Sequence, residues 1–268
     1  MNTHNPSAMA DTGQAVLEIS NIKKNYGAVK ALKGVSFTVN RGEVVGLVGD
    51  NGAGKSTLVK ILAGAVQPSS GTMAIEGRTV EFRGPGEARD AGVECVYQDL
   101  ALVEEFDVAS NFFLGRELYY GGLLAPLGIA RKREMRRRSF EAVKKLGIKI
   151  PSIETSNISD MSGGQRQAVA IARSAFWQGK LLLLDEPTAA LGVAETAEVN
   201  ALIQDLQAAG EVGIILISHN MKQVQQLCDK AVVLQQGHHV ATLANPDQND
   251  LVAYITGAKP PQRELVFG

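Results

Sequence analysis

The chain has 268 residues, 45% of them hydrophobic and 21% charged, which excludes a disordered or fibrous protein and suits one globular domain with room for an inserted lobe. Its 27 basic and 28 acidic residues leave a net charge of -1, so no global positive field points to nucleic acid as a partner. The two cysteines, Cys95 and Cys228, lie far apart without metal-ligand spacing and read as reduced, structural thiols.

In chain order, the polar stretch "MNTHNPSAMADTGQ" reads as a disordered tail over 1–13 without a secretion signal. Short alternating stretches follow at Val16 to Ile19 and Ser36 to Val39, and "GTMAIEGRTVEF" turns at Glu76-Gly77, predicting a small antiparallel layer. Val44 to Val48, Val93 to Tyr97, Leu181 to Leu184, Ile214 to Ile217 and Ala231 to Leu234 are nearly continuous apolar runs. Such runs suit strands of a parallel sheet covered on both faces by helices. Between Gln98 and Asp160 the pattern becomes helical, with the charge run "ARKREMRRRSFEAVKKLG" stopping at Gly147 before Pro151; this predicts an inserted helical lobe. The run reads as a solvated helix face or as a patch for phosphates or lipid head groups. No run reaches the roughly 18 to 20 apolar residues of a membrane span.

Three motifs carry chemistry. "EVVGLVGDNGAGKSTLVKIL" sets Gly49, Gly54, Lys55 and Ser56 in the pattern G-x-x-x-x-G-K-[ST] between a strand and an amphipathic helix. Backbone N–H groups of Asn51 to Lys55 can surround phosphates, Lys55 can neutralise their oxygens, and the Ser56 hydroxyl can ligate magnesium. "LLLLDEP" brings Asp185 to that metal at a strand end and Glu186 beyond it, where a carboxylate can polarise an attacking water. His219 ends the strand in "IILISHN", as a functional group or a hydrogen-bonded structural histidine, and Gln98 follows the "VECVY" strand.

The third motif, "MSGGQRQ", opens a helix with Ser162 as cap and Gln165 three positions on. Capping needs neither Gly163 nor Gly164, and glycine is a poor helix former, so the pair predicts a close approach to bare backbone. Free N–H groups at such an end favour an anion.

"GDNGAGKST", "VYQDL", "MSGGQRQ", "LLLLDEP" and "ISH" in this order resemble the nucleotide-binding subunit of an ATP-binding cassette transporter, from about Val16 to about Gly237. The resemblance implies an α/β P-loop NTPase fold: a mostly parallel sheet flanked by helices, an N-terminal antiparallel layer and an inserted helical subdomain. It implies one ATPase domain over 14–244, with the subdomain at about 99–160 and a C-terminal extension over 245–268. By position, Gly49, Asp50, Asn51, Gly52, Ala53, Gly54, Lys55, Ser56 and Thr57 would hold Mg-ATP. Tyr26 would stack on adenine, unless it is ordinary packing. Gln98 would sense metal and water, Asp185 would bind metal, Glu186 would activate water and His219 would contact the γ-phosphate. Ser162, Gly163, Gly164 and Gln165 would close over the ATP of an opposed second copy, Ser162 and Gly164 on its γ-phosphate.

"VYQDLALVEEFDVASNFFLGRE" and "DEPTAALGV" are similar to cassettes of bacterial monosaccharide importers, particularly a fructose-type branch. This implies a homodimer docked on integral membrane permease subunits at the cytoplasmic face of a bacterial inner membrane, served indirectly by an extracellular sugar-binding protein. Phe106, Phe112 and Phe113 would form the permease groove or pack a core. Two positions depart from the family pattern: Gly192 stands where an aspartate is usual, and Met161 replaces a leucine. Soluble cassette ATPases acting on DNA or ribosomes share these motifs, but usually carry a second cassette or a long coiled-coil insertion that this sequence lacks.

Overall fold

Two sheets organise the molecule, one antiparallel and one almost wholly parallel, and the sequence pattern of each strand decides which it joins. A computed structural model of the chain describes residues 14–121, 128–148, 156–177 and 179–262. The tail expected over 1–13, the residue Pro151 and the last six residues of the C-terminal extension lie outside the described residues.

Strands β1 (Ala15–Tyr26) and β2 (Val29–Asn40) form a long hairpin in which Leu17 pairs with Val39 and Ile19 with Phe37. These side chains are buried while Glu18, Ser36 and Thr38 face outward, as strict alternation requires. The fully buried strand β3 (Val44–Val48) follows, then α1 (Lys55–Leu62). β4 (Ser70–Ile75) and β5 (Arg78–Thr79) turn at Glu76-Gly77, as expected, and complete the first sheet in the order β2-β1-β4-β5.

After α2 (Pro85–Asp90) come β6 (Val93–Val96), the short α3 (Val108–Phe112), α4 (Lys132–Lys145) and α5 (Gly163–Phe176). β7 (Leu181–Asp185), α6 (Val193–Ala209), β8 (Gly213–Ile217), α7 (Met221–Leu227), β9 (Lys230–Gln235), β10 (His238–Ala244) and α8 (Gln248–Ile255) finish the described chain. The second sheet runs β10-β9-β3-β8-β7-β6, parallel except for β10. Its strands feed two cores by alternate residues. Val45, Leu47, Leu183 and Ile215 join the antiparallel layer and α1, whereas Val44, Val48, Leu182 and Ile214 join α5, α6 and α7. A Cβ at Gly46 would stand 2.9 Å from Val224 Cγ1 and 3.1 Å from Cys228 Sγ, so α7 lies directly on β3. Both cysteines are free, as expected, and burial pushes the Cys95 thiol up to about 12 and Cys228 higher still.

The lobe has its own core of Val108, Phe112, Phe113, Met135, Val143 and Ile158, joined by Val169 and Ala172 of α5. The aromatic residues must therefore be divided. Phe112 and Phe113 are core residues that pack on Phe176 and Trp177 at 5.3 to 5.7 Å between ring centroids, whereas Phe106 is exposed. The charge run forms α4, which buries Met135, Ser139 and Val143 along one face. Arg137 pairs with Glu134 and Glu141 and Arg138 with Glu134 along the helix, and Arg136 and Lys145 pair with Asp107 and Glu211 outside it, which supports the solvated-face reading. The described part of the extension after residue 244 folds back, with Gln262 bonded to Val240 and Thr242 of β10.

Candidate functional site

The end of β3 delivers a loop that only glycine could build. Gly49, Gly52 and Gly54 have φ of +150°, +78° and +108°, and a Cβ at Gly49 would collide with the carbonyl oxygen of Leu234. The loop is held shut by Ala53 N–H donating to Asp50 O at 3.0 Å and Gly237 N–H donating to Ala53 O at 3.0 Å. Lys55, the first residue of α1, is only 7% exposed. Its ammonium donates to Gly49 O at 2.5 Å and Asp50 O at 3.0 Å, so it is already aimed across the loop. Burial lowers the Lys55 pKa, against the pull of Glu186, Asp50 and Asp185.

Around this loop lies a cavity of about 290 Å³ that brings together Asp50 to Thr57, Gln98, Asp185, Glu186 and His219. Gly49 forms the floor of the loop beneath Lys55. Ile217 of the "ISH" motif also lines the cavity, as does Ala31, which no motif announces because it belongs to β2 and arrives only through sheet packing. Asp185 closes β7, and burial raises its pKa against Lys55 and His219. Glu186 has a left-handed φ of +52°, a strained state for a residue other than glycine, and its N–H donates to Ile217 O at 3.0 Å. Burial raises the Glu186 pKa, with the nearby His219 opposing. His219 Nε2 stands 3.4 Å from Glu186 Oε1, short of a hydrogen bond, and that oxygen is buried without a hydrogen-bond partner. An ionised oxygen so placed is ready to accept from a water.

Two supports escaped the sequence. Buried Gln223 accepts from Ser218 Oγ at 2.8 Å and Thr188 Oγ1 at 3.3 Å and donates to Asn200 Oδ1 at 2.7 Å. It thereby ties the turn after Glu186 to the strand end that carries His219. Arg173 of α5 donates to Ala101 O at 2.8 Å and Leu100 O at 3.0 Å, clamping the two left-handed residues that follow Gln98. A lone arginine in the alanine-rich "AVAIARSAF" was the available signal.

The remaining expected residues lie elsewhere. Tyr26, at the tip of the β1–β2 hairpin, is 47% exposed under the Lys24 ammonium and does not line the cavity. At the start of α5, Ser162 Oγ accepts from Gln165 N–H at 3.3 Å and Gln165 Oε1 accepts from Ser162 N–H at 3.0 Å, which is the expected capping box. Gly163 and Gly164 are approached by the same chain: a Cβ on Gly163 would meet Cδ2 of Leu191, in the turn before α6, at 3.0 Å, and one on Gly164 would meet Cβ of Glu195, in the first turn of α6, at 2.9 Å. None of these four residues lines the cavity.

The donors that converge in the cavity, the Ser56 hydroxyl, the Gln98 amide oxygen and the Asp185 carboxylate, are all hard oxygens. That set fits Mg²⁺, which takes one or two carboxylates and completes its shell with phosphate oxygens and water.

Residues 32–189 match the family model described as ABC transporter. The chain belongs to the ABC transporter family. The cassette is 44% identical over 222 residues to the xylose/arabinose import ATP-binding protein XylG of Sulfolobus acidocaldarius, covering 83% of this chain and 85% of that protein. It is 40% identical over 256 residues to the fructose import ATP-binding protein FrcA of Rhizobium meliloti, covering 94% and 98%. The crystal structure of a nucleotide-free ATP-binding cassette from an ABC transporter superposes with a TM-score of 0.75 at 25% identity, covering 94% of this chain and 98% of that one. The cassette is thus a nucleotide-binding ATPase, converting ATP and water to ADP and phosphate in the service of transport. No helix among its described residues is long and apolar enough to cross a membrane.

Proposed function

We propose that this cassette energises the import of a monosaccharide, as one of two copies docked on membrane permease subunits at the cytoplasmic face of the inner membrane, with a separate sugar-binding protein supplying the cargo. The convergence of Lys55, Ser56, Gln98, Asp185, Glu186 and His219 on one cavity carries the reading. The sugar-import names of the relatives, two of which match the cassette over most of both chains, set the class of cargo.

In this reading the loop Asp50 to Thr57 cradles the triphosphate of ATP, with Lys55 neutralising the β- and γ-oxygens and Tyr26 stacking on the adenine. Ser56, Gln98 and Asp185 hold Mg²⁺, which supplies charge neutralisation to the phosphates when bound. Glu186 accepts a proton from the attacking water as its oxygen bonds to the γ-phosphorus. The bridging P–O bond breaks with its electron pair going to ADP, and the products are ADP and inorganic phosphate. His219 steadies the γ-phosphate, and Ser162, Gly163, Gly164 and Gln165 of the opposed copy cover it, so that ATP draws two cassettes together and hydrolysis parts them.

The receiving surface for the permease is assigned to the cavity of about 370 Å³ beside β6, which of the aromatic trio only Phe112 lines. Tyr97, Leu114, Arg116 and Trp177 line it, and it borders the turn after Gln98 that Arg173 clamps. Glu186→Gln tests the chemistry: turnover of purified protein falls roughly 10² to 10⁴-fold while ATP binding and an ATP-dependent dimer persist. Unchanged turnover removes Glu186 from the base role. Loss of sugar uptake on deletion supports transport, whereas stimulation of the ATPase by nucleic acid replaces it with the soluble alternative.

A further inference from the structure

The start of α5 already holds an anion, and the chain itself supplies it. Glu195, in the first turn of α6, places Oε1 3.1 Å from Gly164 N and Oε2 3.2 Å from Gly192 N, accepting from both. One carboxylate therefore bridges the α5 start to the turn before α6. Gly164 is buried behind it, and its Cβ position is filled by Glu195 Cβ and Cγ, so nothing else reaches that N–H while Glu195 is seated. The two backbone donors hold the Glu195 carboxyl below its ordinary value, so it is an anion near neutral pH.

We propose that Glu195 is a built-in gate on ATP-driven pairing: seated on Gly164, it excludes the opposed copy's γ-phosphate, and the phosphate must displace it to close the dimer. This rests on the two-copy reading above. A negative oxygen of the γ-phosphate and the Glu195 carboxylate compete for one N–H and repel each other, so the two arrangements are alternatives. Displacement also releases Gly192 N–H, which makes the gate a link between the covered phosphate and the loop from Leu191 to Val193. That loop lacks the usual aspartate, and the carboxylate that anchors it comes from the next helical turn.

The sign of one measurement separates a gate from a mere cap. In the hydrolysis-blocked Glu186→Gln background, sedimentation velocity at fixed protein concentration gives the ATP concentration for half-maximal dimer. Adding Glu195→Gln lowers that concentration roughly tenfold, the range of ordinary coupling between sites, while ATP affinity at dilutions where the protein is monomeric stays the same. A purely structural cap predicts the opposite, since loosening α6 raises the ATP needed; an unchanged or raised value overturns the gate alone. Failure of the Glu186→Gln protein to pair with ATP overturns the two-copy reading and the gate with it. Should Glu195→Gln not melt cooperatively, Glu195→Asp carries the same expectation, because its shorter arm keeps a charge on the first turn of α6 but gives up Gly164.

Discussion

The phosphate loop and the start of α5 both depend on glycine and both face a phosphate in the proposed cycle, yet they use glycine for different reasons. Gly49 and Gly54 adopt left-handed φ, and the atoms that would meet a Cβ include backbone carbonyl oxygens, Leu234 O at the first and Ala31 O, 2.8 Å away, at the second. Gly163 and Gly164 have no left-handed φ, and the first atoms a Cβ would meet are side-chain atoms of Leu191 and Glu195. The first turn is fixed by the sheet beneath it; the second is packed by a neighbouring helix that can shift. A site that binds its ligand in every state suits the rigid kind, and a surface that engages only on pairing suits the adjustable kind.

The largest effect should fall on the rigid end. Gly49→Ala drives a methyl group into the β9 backbone and forces a φ of +150° on a residue that rejects it, costing roughly 3 to 5 kcal/mol. Thermal melting should show that loss, with binding of a fluorescent ATP analogue abolished in whatever protein folds. Wild-type melting and binding in this variant would show that the loop is as adjustable as the α5 start.

How much of each end was legible in the sequence follows from the same contrast. The phosphate loop is a local solution, with every donor and every glycine within nine residues, so spacing alone located it and the strand and helix beside it. The buried apolar runs likewise announced all five parallel strands, because burial on both faces leaves a composition that no turn shares. The α5 start gave up its capping box, Ser162 with Gln165, for the same local reason. Its crowding did not show, because the crowding residues, Leu191 and Glu195, lie about thirty positions on and meet the glycines only after α6 packs on α5. Ala31 and Gln223 were illegible for that reason too, and Arg173 showed only as a lone arginine in an alanine-rich helix. Phe112 and Phe113 were ambiguous in sequence, since an exposed groove and a small core ask for the same aromatics.

Two glutamates sharpen the comparison through pH. Burial raises the folded pKa of Glu186, so the folded state binds its proton more tightly than the unfolded chain does. Its ionisation then costs stability, a cost absent below the unfolded value near 4.5 and fully present once pH has passed the raised folded value. Glu186→Gln should therefore raise Tm at pH 8 and lose that advantage by pH 4. Backbone donors lower the folded pKa of Glu195, so its stabilisation is full above about 4.5 and fades as pH falls through the lowered value. Glu195→Gln should lower Tm at pH 8 and match the wild type in more acidic buffer. Differential scanning fluorimetry from pH 8 to below the lowered Glu195 value reads both, and curves of the same sign would erase the distinction between the strained carboxylate proposed as base and a seated capping one.

The smallest effect should come from filling the space at the adjustable end. In Gly164→Ala the new methyl meets Glu195 Cβ at 2.9 Å, close to the α6 backbone, so the helix turn itself must move, at about 1 to 3 kcal/mol. In Gly163→Ala the one tight contact is with the far end of Leu191, at 3.0 Å, the Glu195 oxygens lying at an ordinary 3.8 and 3.9 Å, and a flexible leucine tip yields cheaply. Alanine also gains up to about 1 kcal/mol of helix propensity over glycine, so the two terms nearly cancel and Tm should stay close to wild type. Combining Gly163→Ala with Leu191→Ala isolates the clash: once the leucine tip is gone, only the propensity gain from alanine remains, and the double variant should melt above Leu191→Ala alone. A Gly163→Ala penalty that survives in the Leu191→Ala background would place the crowding on backbone, and the start of α5 would then be as unyielding as the loop after β3.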